Sequence, residues 1–216
     1  MMKKILFIIM LFPVFFQAQG FKALGGKIGF TFLHSTWDVN DPEINKFYPD
    51  KPKFYNAYLG VYGEFLSKKI LSTCIDLSYH LTDYSFEYTM YDKYGQSTGT
   101  SSIRNSVQYV SLLVKEKLRY GKDLGANYYA FAGPRIELEF NKNVDKDFST
   151  IFNNTKKVII GYTFGGGFSW NFNTFQILGE AFWHGDIIKT YSSGSGKILN
   201  NGLGFIIGAG WYVTKK

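Results

Sequence analysis

The chain has 216 residues, a formal charge of +7 and a single cysteine, Cys74. One thiol excludes an intramolecular disulfide framework and any zinc site built from clustered cysteines. The charge excess is mild and only weak evidence for anionic partners, and no nucleic-acid partner is expected.

The first twenty residues, MMKKILFIIMLFPVFFQAQG, read as a secretory signal. Lys3 and Lys4 form a basic start, residues 5–16 form a short apolar core, and Ala18-Gln19-Gly20 resembles a small-x-small cleavage site. The core is too short for a transmembrane helix, and Pro13 interrupts it. The expected organisation is a signal over residues 1–20 and one domain over 21–216. Removing the signal takes away two lysines and no acids, so the formal charge falls from +7 to +5.

After the signal, apolar and polar residues alternate in run after run, the pattern of strands rather than helices. Eight strands are predicted, near 22–34, 55–66, 70–86, 106–120, 127–140, 157–172, 175–187 and 201–213. Their connections alternate in length. Residues 67–69, 121–126 and 171–174 are short, while 35–54, 89–105, 141–156 and 188–200 are long and hydrophilic.

The sixth strand, VIIGYTFGGGFSWNF, states the problem most sharply. One parity is Val158, Ile160, Tyr162, Phe164, Phe168, Trp170 and Phe172, broken only by Gly166; the other is Gly, Thr, Ser and Asn apart from Ile159. Phe30, Phe32, Trp183 and Trp211 extend the greasy parity to other strands, with Phe65 also assigned to it and Glu116 an offender on the fourth strand. The opposite parity collects Lys27, Glu64, Asp76, Lys115, Lys117, Arg119, Arg135, Glu137, Glu139 and Glu180.

Two architectures fit eight alternating strands. A soluble barrel turns its apolar face inward; a membrane barrel turns it outward. The bulk of the aromatic face exceeds the interior of a narrow barrel. Small residues suit a narrow lumen, and short turns alternating with long loops are the pattern of outer-membrane barrels. The expected fold is an all-β, antiparallel up-and-down transmembrane barrel. Its expected location is the bacterial outer membrane after export. The eight large aromatics at 30, 32, 162, 164, 168, 170, 183 and 211 should then face lipid, with Tyr162 and Trp170 toward the interfaces.

Five segments, "GGKIGFTF", "YLGVYGEF", "VQYVSLLVKEKLRYG", "YYAFAGPRIELEF" and "GLGFIIGAGWYV", follow in this order from one end of the mature chain to the other. Together they resemble the PorT-like outer-membrane β-barrel family of small Gram-negative barrels. The resemblance implies the same fold. Most members have no assigned activity, and one branch resembles a component of protein secretion and gliding systems.

Candidate chemistry is sparse. His80 and His184 should point inward, with Ser78 and Asp186 nearby in sequence and His34 at a loop base. No short motif supports a Ser–His–Asp site, and no His-x-His or His-x-x-x-His pair supports a metal. Asp38-Val39-Asn40-Asp41-Pro42-Glu43 is rich in oxygen ligands but lacks the glycine of a calcium loop. Asn153-Asn154-Thr155 matches a glycosylation triplet by chance. Lys142, Lys146, Lys156, Lys157, Lys189 and Lys197 either pair with lipopolysaccharide phosphates or keep the loops soluble.

No catalytic, cofactor or metal residue is expected. The expected role is structural, adhesive or accessory to a surface or secretion complex, with outer-membrane lipid, lipopolysaccharide and protein partners. A narrow solute channel, a lipid-modifying enzyme and a soluble ligand-binding barrel are the alternatives. The ten inward charges are expected to plug the lumen, with Asp76 close to Lys117 or Arg119 and with Arg135, Glu137 and Glu139 as a second tier.

Overall fold

Alternation of β-branched and aromatic residues with small or polar ones favours extended backbone with one apolar face. The computed structural model describes residues 21–39, 53–65, 70–92, 94–121, 124–143, 156–188, 191–193 and 196–213. The predicted signal, most of the acidic segment at 38–43, the glycosylation triplet, Lys146 and Lys189 lie outside the described residues.

The strands are β1 (Ala23–Val39), β2 (Lys53–Phe65), β3 (Leu71–Tyr91), β4 (Ser97–Gly121), β5 (Gly125–Asn143), β6 (Val158–Asn171), β7 (Phe175–Asp186), β8 (Tyr191–Ser193) and β9 (Gly196–Tyr212). Strands β1 to β7 pair in chain order, β7 pairs with β9, and β9 pairs with β1. All pairs are antiparallel. The result is a closed eight-stranded barrel, with β8 a three-residue appendage on the far end of β9.

A row of register partners begun at Phe65 on β2 runs through Thr73, Glu116, Ala132, Phe164, Trp183, Leu203 and Phe32. It returns to β2 at Tyr55, ten residues from its start. That stagger tilts the strands by about 40° and leaves an interior wide enough only for side chains.

The greasy parity points outward. Phe30, Phe32, Tyr162, Phe164, Phe168, Trp170, Trp183 and Trp211 are all exposed, Trp211 at 66%. Ile28, Leu59, Val61, Leu77, Leu118 and Ile207 continue this surface around the barrel. Tyr120, Tyr128, Trp170 and Trp211 lie together near the short-turn end, as an interfacial aromatic girdle does. Phe65 is the departure: it is buried because Phe21 packs edge-on against it, with ring centroids 5.7 Å apart.

Several strands run beyond their predicted ends. The segment 89–105, predicted as a loop, is mostly hairpin: β3 and β4 stay paired to Tyr91 and Ser97. The chain turns at Asp92, whose side chain accepts from the N–H groups of Tyr94 (2.8 Å) and Gln96 (2.9 Å), with Gly95 at φ 79°. Likewise β1 reaches Val39 and β9 starts at Gly196, within segments predicted as loops. STGTSSI is polar on both parities, so strand there leaves no alternation to read.

Candidate functional site: the charged lumen

The inward side chains meet in two tiers. In the first, Lys27 from β1 donates to Asp76 Oδ2 on β3 (2.9 Å) and Glu180 Oε2 on β7 (3.0 Å). Lys115 from β4 donates to Glu180 Oε1 (2.9 Å) and Oε2 (2.8 Å), and lies 3.0 Å from Asp76 Oδ2. The hydroxyl of Tyr129 is a third donor to Glu180, at 3.0 Å. Cys74 Sγ donates to Asp76 Oδ1 at 3.1 Å, so the single thiol is buried within this network.

Toward the short-turn end the network continues. Lys117 lies 3.5 Å from Glu180 and 4.0 Å from Glu64, and Arg119 lies 3.0 Å from Glu64. Lysines also stand over rings: Lys115 over Phe131 (4.2 Å), Lys117 over Tyr129 (4.6 Å) and Lys27 over Tyr62 (4.7 Å). Cation–π contacts gain strength where water is excluded.

The second tier is centred on Arg135 of β5. It bonds Asp186 Oδ1 (2.6 Å), lies 3.1 Å from Glu137, and contacts His184 Nδ1 at 2.8 Å. Arginine only donates, so His184 Nδ1 accepts and its Nε2 carries the proton. Asp186 also accepts from the backbone N–H of Asn200 at 3.3 Å. Glu139, expected in this tier, instead pairs with Lys142 at 3.1 Å at the strand end.

Asp76 is not matched to Lys117 or Arg119 as expected; its ion pairs are with Lys27 and Lys115. The expectation centred the β3–β4 register on a long loop at 89–105. The turn actually lies at Asp92–Gln96, which sets Asp76 opposite Leu113 and brings Lys115 to its diagonal.

Small residues on the inner face make room for large rings, of which the alternation pattern shows Phe131 and Phe182 but not the tyrosines. Tyr58, Tyr129, Phe131, Phe182 and Ile206 form one buried cluster, and Tyr62, Cys74 and Leu178 another. A Cβ at Gly167 would overlap the Tyr129 ring, and one at Gly204 the Phe182 ring. The inner face is therefore small where a neighbouring strand sends a ring across it.

Two cavities between these side chains measure about 20 Å³ each. The first lies between the tiers, among Asp76, Ser78, His80, Lys115, Arg135 and Glu180; the second lies above it, beside Asn56, Tyr109, Asp186 and Asn200. Each holds one or two waters at most. Ser78 Oγ lies 2.8 Å from His80 Nε2. Asp186, the acid considered for a triad with them, is held by Arg135 instead. His34 sits on β1 opposite Lys53 and Asn201. Among the described residues, no group of three or more His, Cys, Asp or Glu side chains is arranged to hold a metal ion.

No protein-family model and no curated protein matches the chain. Among solved structures it is similar to the outer membrane protein OprG from Pseudomonas aeruginosa, with a TM-score of 0.49 at 10% identity over 88% of this chain and 95% of that one. It is similar to the outer membrane protease OmpT from Escherichia coli, with a TM-score of 0.46 at 9% identity over 90% and 98%. A third is Ail, the attachment invasion locus protein of Yersinia pestis, with a TM-score of 0.38 at 12% identity over 88% and 97%. The closed strand register, not these likenesses, carries the fold.

Proposed function

We propose that the chain is a non-enzymatic outer-membrane barrel, a closed scaffold with a structural, adhesive or accessory role at the cell surface. The observation that carries this reading is the lumen. Lys27, Lys115, Lys117, Arg119 and Arg135 are set against Glu64, Asp76, Glu137, Glu180 and Asp186, five positive charges against five negative, with two water-sized spaces among them. A balanced, filled interior passes no solute. The outward apolar belt supports a lipid setting, because such a surface is unfavourable in water.

Purified protein in planar bilayers tests the plug, and the expected result is no steady conductance. A wild-type barrel that conducts, unchanged by Asp76→Ala or Lys117→Ala, overturns it. Detergent-dependent extraction from an outer-membrane fraction tests the location.

The Ser78–His80 contact faces a space too small for a lipid acyl chain, which weighs against the enzyme reading. Membership of the PorT-like family, and with it a place in a secretion complex, rests on the five quoted segments; affinity capture from native outer membrane tests it. Lys156 and Lys157, exposed between β5 and β6, suit lipopolysaccharide phosphates.

A further inference from the structure

Among the described residues the outward face carries two acids, Asp83 toward the long-hairpin end of β3 and Glu116 within the apolar belt. Glu116 on β4 is exposed, with Leu118 two residues nearer the short-turn end and Tyr120 four, the latter 84% exposed. Four residues of strand are about 13 Å, so the carboxyl lies inside the apolar belt rather than at its rim. Its one polar partner among the described residues is a neutral one, the Thr73 hydroxyl at 2.7 Å. A carboxylate left facing hydrocarbon is unfavourable.

The surface beside it is flat. Glu116 is opposite Ala132 on β5; Ala130 is opposite Gly166 on β6; Gly166 is opposite Ala181 on β7. All four small residues are exposed, while Phe164 and Leu118 rise on either side. Small residues let a second backbone approach closely within a bilayer.

We propose that this surface docks a membrane-spanning segment of another protein, one that presents a lysine or arginine to Glu116. The proposal rests on the outer-membrane reading and gives its accessory role a location. Charge complementarity selects the occupant. A two-fold copy of this chain would set Glu116 against itself on the axis or against another residue of the same belt off it. A head-to-tail copy would need a cation on the outer belt, and among the described residues the belt carries none. Lipid ammonium groups stay at the interface, below the level of Glu116.

The test uses the full chain in its native outer membrane, with a photo-crosslinking phenylalanine analogue at position 132 and a control at position 59 on β2. Expected is one discrete adduct from position 132 and none from 59. Its partner peptide should map to a membrane-spanning segment containing Lys or Arg. Glu116→Lys should reduce the adduct at least tenfold, and reversing the partner's basic residue to Glu should restore it. Heat-dependent gel mobility confirms that each variant is folded. No adduct, an adduct with lipid or with a second copy of this chain, or one indifferent to Glu116→Lys overturns the proposal. Failure to find the protein in the outer membrane would sink the location reading instead, so the two failures are distinguishable.

Discussion

Lys115 and Glu180 form a two-pronged ion pair across the lumen, with Nζ 2.9 Å and 2.8 Å from the two carboxylate oxygens. Lys27 leans on the same carboxylate at 3.0 Å, and Lys117 lies 3.5 Å away. Burying so many charges costs desolvation that offsets much of their attraction, so the cluster is a poor source of net stability. Its members are nevertheless costly to remove singly.

Glu180→Ala should therefore destabilise the barrel by about 3–5 kcal/mol, because it leaves three buried lysines, Lys27, Lys115 and Lys117, to share Asp76 and Glu64. Lys115→Ala should cost less, since Lys27 and Lys117 still face Glu180. Replacing both Lys115 and Glu180 by Leu should recover much of the loss. Urea unfolding in lipid vesicles, followed by tryptophan fluorescence, checks the order; equal losses in all three variants would contradict it.

Closure has its own readout. A ladder with no free edge has nowhere to begin unzipping. The folded protein should migrate differently in SDS before and after boiling. A sample with β-type circular dichroism and unchanged mobility would count against a closed barrel in solution.

The fit of rings over glycines predicts a sided response. Gly204→Val drives a branched side chain into the Phe182 ring and should cost about 1–3 kcal/mol, as overpacking does. A Cβ at Gly26, on the exposed outer face, meets nothing closer than 3.9 Å, so Gly26→Val should be neutral or mildly stabilising. Phe182→Leu should partly rescue the first variant. Unfolding midpoints of the three decide the matter.

Topology can be read with single cysteines, because Cys74 is fully buried and should not react in the folded barrel. Tyr94→Cys, at the tip of the β3–β4 hairpin, should label on intact cells with an impermeant maleimide. Thr174→Cys, in the turn between β6 and β7, should label only after the outer membrane is breached. The reverse pattern would invert the barrel.

The sequence carried the strand count, the outward face and the inward charges because all three follow from period-two alternation. It did not carry the β3–β4 extension, because STGTSSI offers no contrast between its two faces before Ile103. The partners of Asp76 were misplaced for the same reason: a hidden turn shifts the register by several residues. Asp186 entered the reading only as a catalytic acid, and its pairing with Arg135 depends on the β6–β7 register, which no local pattern records. The inner rings of Tyr58, Tyr62 and Tyr129 were overlooked among glycines, though those glycines are the trace the rings leave.

The pairing of β1 with β9 also fixes an order of events. Ala23 meets Tyr212, so the seam joins the two ends of the domain and cannot zip until the last strand has been delivered. Contacts so distant along the chain form late, because the intervening loop must first be closed at an entropic cost. Lys27 is on β1, the first strand of the barrel, and its two ion pairs lie on opposite sides of that seam: Asp76 on β3 is reached through β2, whereas Glu180 on β7 is reached only once β9 joins β1. Closing the seam thus completes the wall and brings Lys27 onto Glu180 in one step, coupling assembly of the ion cluster to completion of biogenesis.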